Sequence, residues 1–79
     1  MGKREKLLAR IRNNVKGVRF EDLNKVLEWT GFRLKRVSGS HHVYVRGNRI
    51  VVVARRKPHV SPAAVKEVLG ILDELVDDE

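Results

Sequence analysis

The sequence predicts an α+β domain: a three-stranded antiparallel sheet with helices on one face, in the order α-β-β-β-α, preceded by one extra helix. Three observations carry that expectation. Apolar residues recur at helical spacing near both ends of the chain. The middle switches to the alternating, β-branched pattern of strands. Gly47-Asn48 falls between two such runs, where a two-residue hairpin loop fits. The 79 residues are read as a single domain, with 1–16 a helical extension and 17–79 the core.

From Lys3 to about Asn13, Leu7, Leu8 and Ile11 recur at helical spacing among charged residues, which predicts a short, moderately amphipathic helix. Asn13-Asn14-Val15-Lys16-Gly17 reads as a turn. A second helix is expected from about Phe20 to Thr30. Glu21 and Asp22 favour its first turn through the helix dipole, Leu23, Val26 and Leu27 form its apolar stripe, and Gly31 ends it. Phe32-Arg33-Leu34-Lys35-Arg36 alternates apolar and basic like a half-buried strand, and Ser38-Gly39-Ser40 is a turn. Two further strands, His41 to Arg46 and Arg49 to Ala54, are expected to pair Arg46 with Arg49, Val45 with Ile50, and Tyr44 with Val51. Arg55-Arg56-Lys57-Pro58-His59 is a basic loop. Ser61-Pro62 then starts a helix, the serine capping free amides and the proline taking a first-turn position where it has no bond to lose. Val65, Val68, Leu69, Leu72, Leu75 and Val76 give that helix a clear apolar face.

Periodicity leaves the orientation of the sheet open. One face of the hairpin carries His41, Val43, Val45, Ile50, Val52 and Ala54. The other carries His42, Tyr44, Arg46, Arg49, Val51 and Val53. Both are apolar at their centres, yet only one can lie on the helices.

Composition narrows the function. The chain has no cysteine, which excludes a disulfide scaffold and thiolate metal sites. Its longest apolar run, Ile50 to Ala54, falls far short of a membrane span, and the charged start lacks an apolar signal core. A soluble cytoplasmic protein with no membrane role is expected. Seventeen Lys and Arg face ten acids, a formal net charge of +7. The imbalance is sharper in residues 1–72, where all seventeen positives meet five negatives, a net of +12. Such a body attracts polyanions, nucleic acid foremost.

No metal or other cofactor is expected. His41 and His42 point to opposite faces of a strand and cannot chelate one ion together, and no carboxylate lies near them in sequence. No phosphate-cradling glycine loop is present. Histidine among arginine and lysine suits RNA cleavage. That reaction needs a 2′-hydroxyl deprotonated, a leaving 5′-oxygen protonated and phosphate charge stabilised. Imidazole can perform either proton step, and basic side chains can supply the charge. His41, just after Gly39-Ser40, is well placed. The plain structural alternative is a histidine closing a strand end with its ring bonded to backbone.

Phe32, then Gly39-Ser40-His41-His42-Val43-Tyr44, a turn, a β-branched strand, an arginine-rich loop and a proline-started helix together resemble the HicA toxin family over about residues 20–72. The resemblance implies a double-stranded-RNA-binding-domain-like fold. It also implies ribosome-independent mRNA cleavage by a toxin of a type II toxin-antitoxin system, and a cognate HicB-type antitoxin covering the site. The histidine directly after Gly-Ser, here His41, is the one the family requires; His42 is left outside the catalytic set. The family's aromatic after the motif packs inward, so Tyr44, Val51 and Val53 are expected to face the helices. Val43, Val45, Ile50 and Val52 then form an exposed strip, read as a surface for antitoxin or self-association.

Ser40, Arg33, Lys35 and Arg36, with Arg55, Arg56 and Lys57 of the loop, are the RNA-contact candidates. The chain departs from the family where Ala54-Arg55-Arg56 replaces a proline followed by a basic residue, and where the loop before the last helix is shorter. The competing function is a non-catalytic RNA-binding module of the same fold, gripping duplex RNA by shape and phosphate contacts. A DNA-binding helix-turn-helix ranks last, because the first two helices are joined by more than the usual short turn.

Overall fold

The computed structural model describes residues 2–77. The side chains of Val76 and Asp77 and the whole of residues 78–79 lie outside that description, including part of the expected apolar face and acidic tail. Helix α1 spans Lys3–Asn13, a 3₁₀ turn Val15–Gly17 and helix α2 Phe20–Trp29. Strands β1 (Arg33–Ser38), β2 (His41–Arg46) and β3 (Arg49–Ala54) form one antiparallel sheet in the order β1-β2-β3, and helix α3 covers Pro62–Asp77. The expected α+β order is therefore present.

Each boundary has a local cause. At the C-terminus of α2 the Gly31 amide donates to the Glu28 carbonyl at 3.1 Å and the Phe32 amide to the Leu27 carbonyl at 3.0 Å. This double closure needs a left-handed residue, and Gly31 supplies it at φ +93°. A side chain at 31 would be strained there and would press on the Arg46 side chain. At α3 the Ser61 hydroxyl accepts from the Ala64 amide at 3.3 Å, the cap expected from Ser61-Pro62. Both hairpin turns open with a glycine at positive φ, Gly39 at +59° and Gly47 at +58°, as a type II′ turn requires.

The hairpin register is the one expected, with Arg46 opposite Arg49, Val45 opposite Ile50 and Tyr44 opposite Val51. The helices cover the face carrying Tyr44, Val51 and Val53, all at most 1% exposed. They pack with Phe20, Leu23, Val26 and Leu27 of α2 and Val65, Val68 and Leu72 of α3. The opposite face leaves Ile50 63% and Val52 45% exposed.

One feature departs from the expectation, and a second places a helix whose packing the sequence leaves open. The first strand runs to Ser38 and carries a β-bulge: Leu34 pairs with Tyr44 and Arg36 with Val43, leaving Lys35 as the extra residue. Plain alternation put Arg33 and Lys35 on one face and Arg36 on the other. The bulge instead puts Arg33 and Arg36 together on the open face, because two residues now oppose one. The second is α1, which docks on α2 and the 3₁₀ turn. Ile11 is 2% exposed and belongs to the same core as the rest. Arg10 pairs with Asp22 at 3.1 Å and Arg12 with Asp73 at 2.9 Å; both pairs are solvent-exposed and contribute little stability.

Candidate nucleic-acid interface and histidine site

The site is built from the turn that joins β1 to β2. Ser38 pairs with His41 across it, and His41 pairs with Ala54 on the other side. Since facing residues on paired strands project the same way, Ser38, His41 and Ala54 form one row on the open face. The next row is Arg36, Val43 and Val52, and the one after it Arg33, Val45 and Ile50. The open face is thus a basic column on β1 beside an apolar column on β2 and β3, with an imidazole at one end.

His41 is exposed, and among the described residues no side-chain hydrogen bond engages its ring. The backbone role anticipated for a strand-end histidine falls to its neighbour. His42 lies on the covered face, and its Nδ1 sits 3.1 Å from the Ser40 carbonyl oxygen. Its ring packs against that of Phe20, with centroids 4.5 Å apart at 55°.

The basic candidates divide by distance. Arg36 stands two register positions from His41, roughly 7 Å along the strand, close enough for a long side chain to serve the same phosphate group. Arg33 stands four positions away, roughly 13 Å, and can reach only a neighbouring part of a polyanion. Lys35, on the bulge, belongs to neither row. Arg55 is brought to the turn through its backbone, its amide donating to the Ser40 carbonyl at 2.7 Å. Its guanidinium turns toward the helices, 5.3 Å from the Phe20 ring centroid and 3.6 Å from a Glu21 carboxylate oxygen. Arg56 and Lys57 are exposed in the loop beyond it. That loop is anchored by Val60, buried, whose amide donates to the Val18 carbonyl at 2.9 Å.

Sequence reasoning missed His42, Phe20 and Asn24 as parts of this region. The Tyr44 hydroxyl donates to Asn24 Oδ1. Burial, and next the negative charge of Glu28, push the Tyr44 phenol up to about 12. Tyr44 therefore stays neutral beneath the sheet and serves as a support for β2. Trp29 is half-buried at the end of α2, with the Arg4 guanidinium 5.2 Å from its ring centroid. A shallow depression of ≈ 640 Å³ lies among Arg33, Lys35, Val45, Asn48 and Ile50, at the opposite end of the sheet from His41. Among the described residues, no group of three or more His, Cys, Asp or Glu is placed to hold a metal ion. No helix among the described residues is long and apolar enough to cross a membrane.

The structure is thus a small basic α+β domain with an exposed imidazole at the end of an arginine-bearing sheet face. The family model for the HicA toxin of bacterial toxin-antitoxin matches residues 20–73. The match spans most of the chain, and the chain belongs to the HicA toxin family. Membership gives it a toxin role and an antitoxin as partner. Searches of curated proteins and of solved structures each found no match.

Proposed function

We propose that this protein is a toxin that cuts mRNA, a metal-independent endoribonuclease with His41 as its catalytic residue. The observation that carries the proposal is the position of His41: an exposed imidazole at the end of the open face, one row from Arg36, in a chain of a toxin family. The 2′-hydroxyl of the bound nucleotide attacks the adjacent phosphorus, and the bond to the 5′-oxygen breaks. The products end in a 2′,3′-cyclic phosphate and a 5′-hydroxyl. His41 performs one of the two proton steps and solvent water the other. Arg36 neutralises charge that builds on the phosphate, as fixed cationic donors can do without a metal. Arg33, Ser40, Arg56 and Lys57 hold the flanking chain, with Arg55 contributing after release from Glu21 and Lys35 adding charge at the edge.

The apolar column explains the partner. Val43, Val45, Ile50 and Val52 share the open face with His41, so a protein that covers them also covers the site. A HicB-type antitoxin with acidic groups toward Arg33 and Arg36 matches that surface. The proposed compartment is the cytoplasm, where mRNA is available.

Comparing wild type with His41→Ala on the same RNA tests the proposal. Removal of a proton-transfer group lowers cleavage by about 10²–10⁴-fold, while RNA binding stays within a few-fold. Equal binding with no cleavage by either protein would instead identify a non-catalytic RNA-binding module. Undiminished cleavage by His41→Ala would remove His41 from the mechanism.

A further inference from the structure

We propose that His42 is the positioning residue for His41: its ring clamps the Gly39–Ser40 turn to helix α2 and so fixes where the neighbouring imidazole stands. Four observations converge on this assignment. The Ser40 carbonyl is held from two sides, by the Arg55 amide at 2.7 Å and by His42 Nδ1 at 3.1 Å. Both lone pairs of that oxygen are thereby used, one by the end of β3 and one by β2. The His42 ring rests on Phe20, the first residue of α2, at 4.5 Å. Phe20 is 8% exposed and part of the core, so the ring is referred to a fixed surface. The Arg55 guanidinium lies on the same Phe20 ring at 5.3 Å, joining the two groups that hold Ser40 to one platform.

The mechanical consequence follows from strand geometry. Adjacent residues of a strand project to opposite faces, so a ring held under the sheet at position 42 sets the direction of the side chain above it at 41. Gly39 gives the turn its positive φ but has no side chain with which to hold it. The hold comes from the Ser40 carbonyl. Nδ1 must carry a proton to donate there, which both the Nδ1–H tautomer and the cation satisfy. Neither His42 nitrogen needs to touch substrate.

The catalytic consequence rests on the nuclease reading; the hold on the turn does not. Two readouts keep them apart, on full-length His42→Phe, His42→Ala and His42→Asn, each first checked for a cooperative thermal transition. The first is amide hydrogen exchange at Arg55, read by NMR without RNA. Faster exchange on the order of tenfold is expected in His42→Phe and His42→Ala, with partial recovery in His42→Asn, whose amide can still donate. The second is cleavage: kcat falls on the order of tenfold in the first two variants, KM moves little, and the pH profile keeps its shape. Unchanged Arg55 exchange in His42→Ala overturns the clamp. Faster exchange with undiminished kcat overturns its link to His41. Loss of one limb of the pH profile in His42→Phe makes His42 a proton-transfer group and overturns the positioning role. If wild type cuts no RNA, the nuclease reading fails and the positioning role with it. Arg55 exchange then decides only whether the clamp exists.

Discussion

At the scale of single residues, two adjacent histidines have been given different environments by nothing more than strand alternation. His41 is left in water on the open face, while His42 is bonded to backbone and packed on an aromatic ring. Tyr44, two positions on, has its phenol raised by burial and yields a stability prediction. Unfolded, its phenol titrates near 10.0; folded, burial and Glu28 raise it to about 12. Between those values the folded chain keeps a proton that the unfolded chain has lost. Its contribution to stability is therefore complete below about pH 10 and is lost as pH rises through about 12, on the order of 2–3 kcal/mol. Urea titrations at pH 9 and 11.5 check this against Tyr44→Phe, which lacks the proton. The wild type loses more stability than the variant across that interval; equal losses contradict the assignment. Of these residue-level facts, the sequence carried the exposure of His41 through its family likeness. It could not carry the Phe20 and Asn24 contacts, which exist only once α2 lies beneath β2.

At the scale of elements, the turns and caps were legible and the bulge was not. Gly47-Asn48 and Ser61-Pro62 act through their own backbone geometry, so reading them requires no knowledge of a partner, and the structure shows both as read. The bulge is a property of two strands: Lys35 becomes surplus only when Leu34 and Arg36 pair with Tyr44 and Val43. Single-strand alternation therefore does not give the face of Arg36. The choice of covered face was likewise undecided by periodicity, because valines line both sides, and was settled by which face meets Leu27, Val65 and Val68. A functional prediction follows from the shared face of Arg36 and His41. Arg36→Ala weakens RNA binding by about three- to tenfold at moderate salt, and Lys35→Ala by clearly less, although each removes one positive charge. A fluorescence-anisotropy titration with a short RNA checks it. Equal losses would mean that only net charge matters, and that the bulge has no part in recognition.

At the scale of the whole molecule, α1 is part of the fold and not an appended basic arm. Its weak amphipathicity concealed this, since only Ile11 is fully buried and the exposed basic residues dominate the pattern. Ile11 joins a core that reaches from α1 to Leu72 of α3. Ile11→Ala should cost about 2–4 kcal/mol, a large share of the stability of a chain this small, and lower the denaturation midpoint accordingly. An unchanged midpoint would make α1 detachable. The described residues then present one open sheet face carrying arginine, valine and an imidazole, on which the proposed chemistry needs no metal ion. The most direct test of that claim is cleavage in EDTA of an RNA bearing one 2′-deoxynucleotide on the 5′ side of a cut bond. The account predicts that EDTA leaves cutting intact elsewhere, that fragments carry 5′-hydroxyl ends, and that the deoxy position is spared. Continued cutting at the deoxy position, or its abolition everywhere by EDTA, would contradict it.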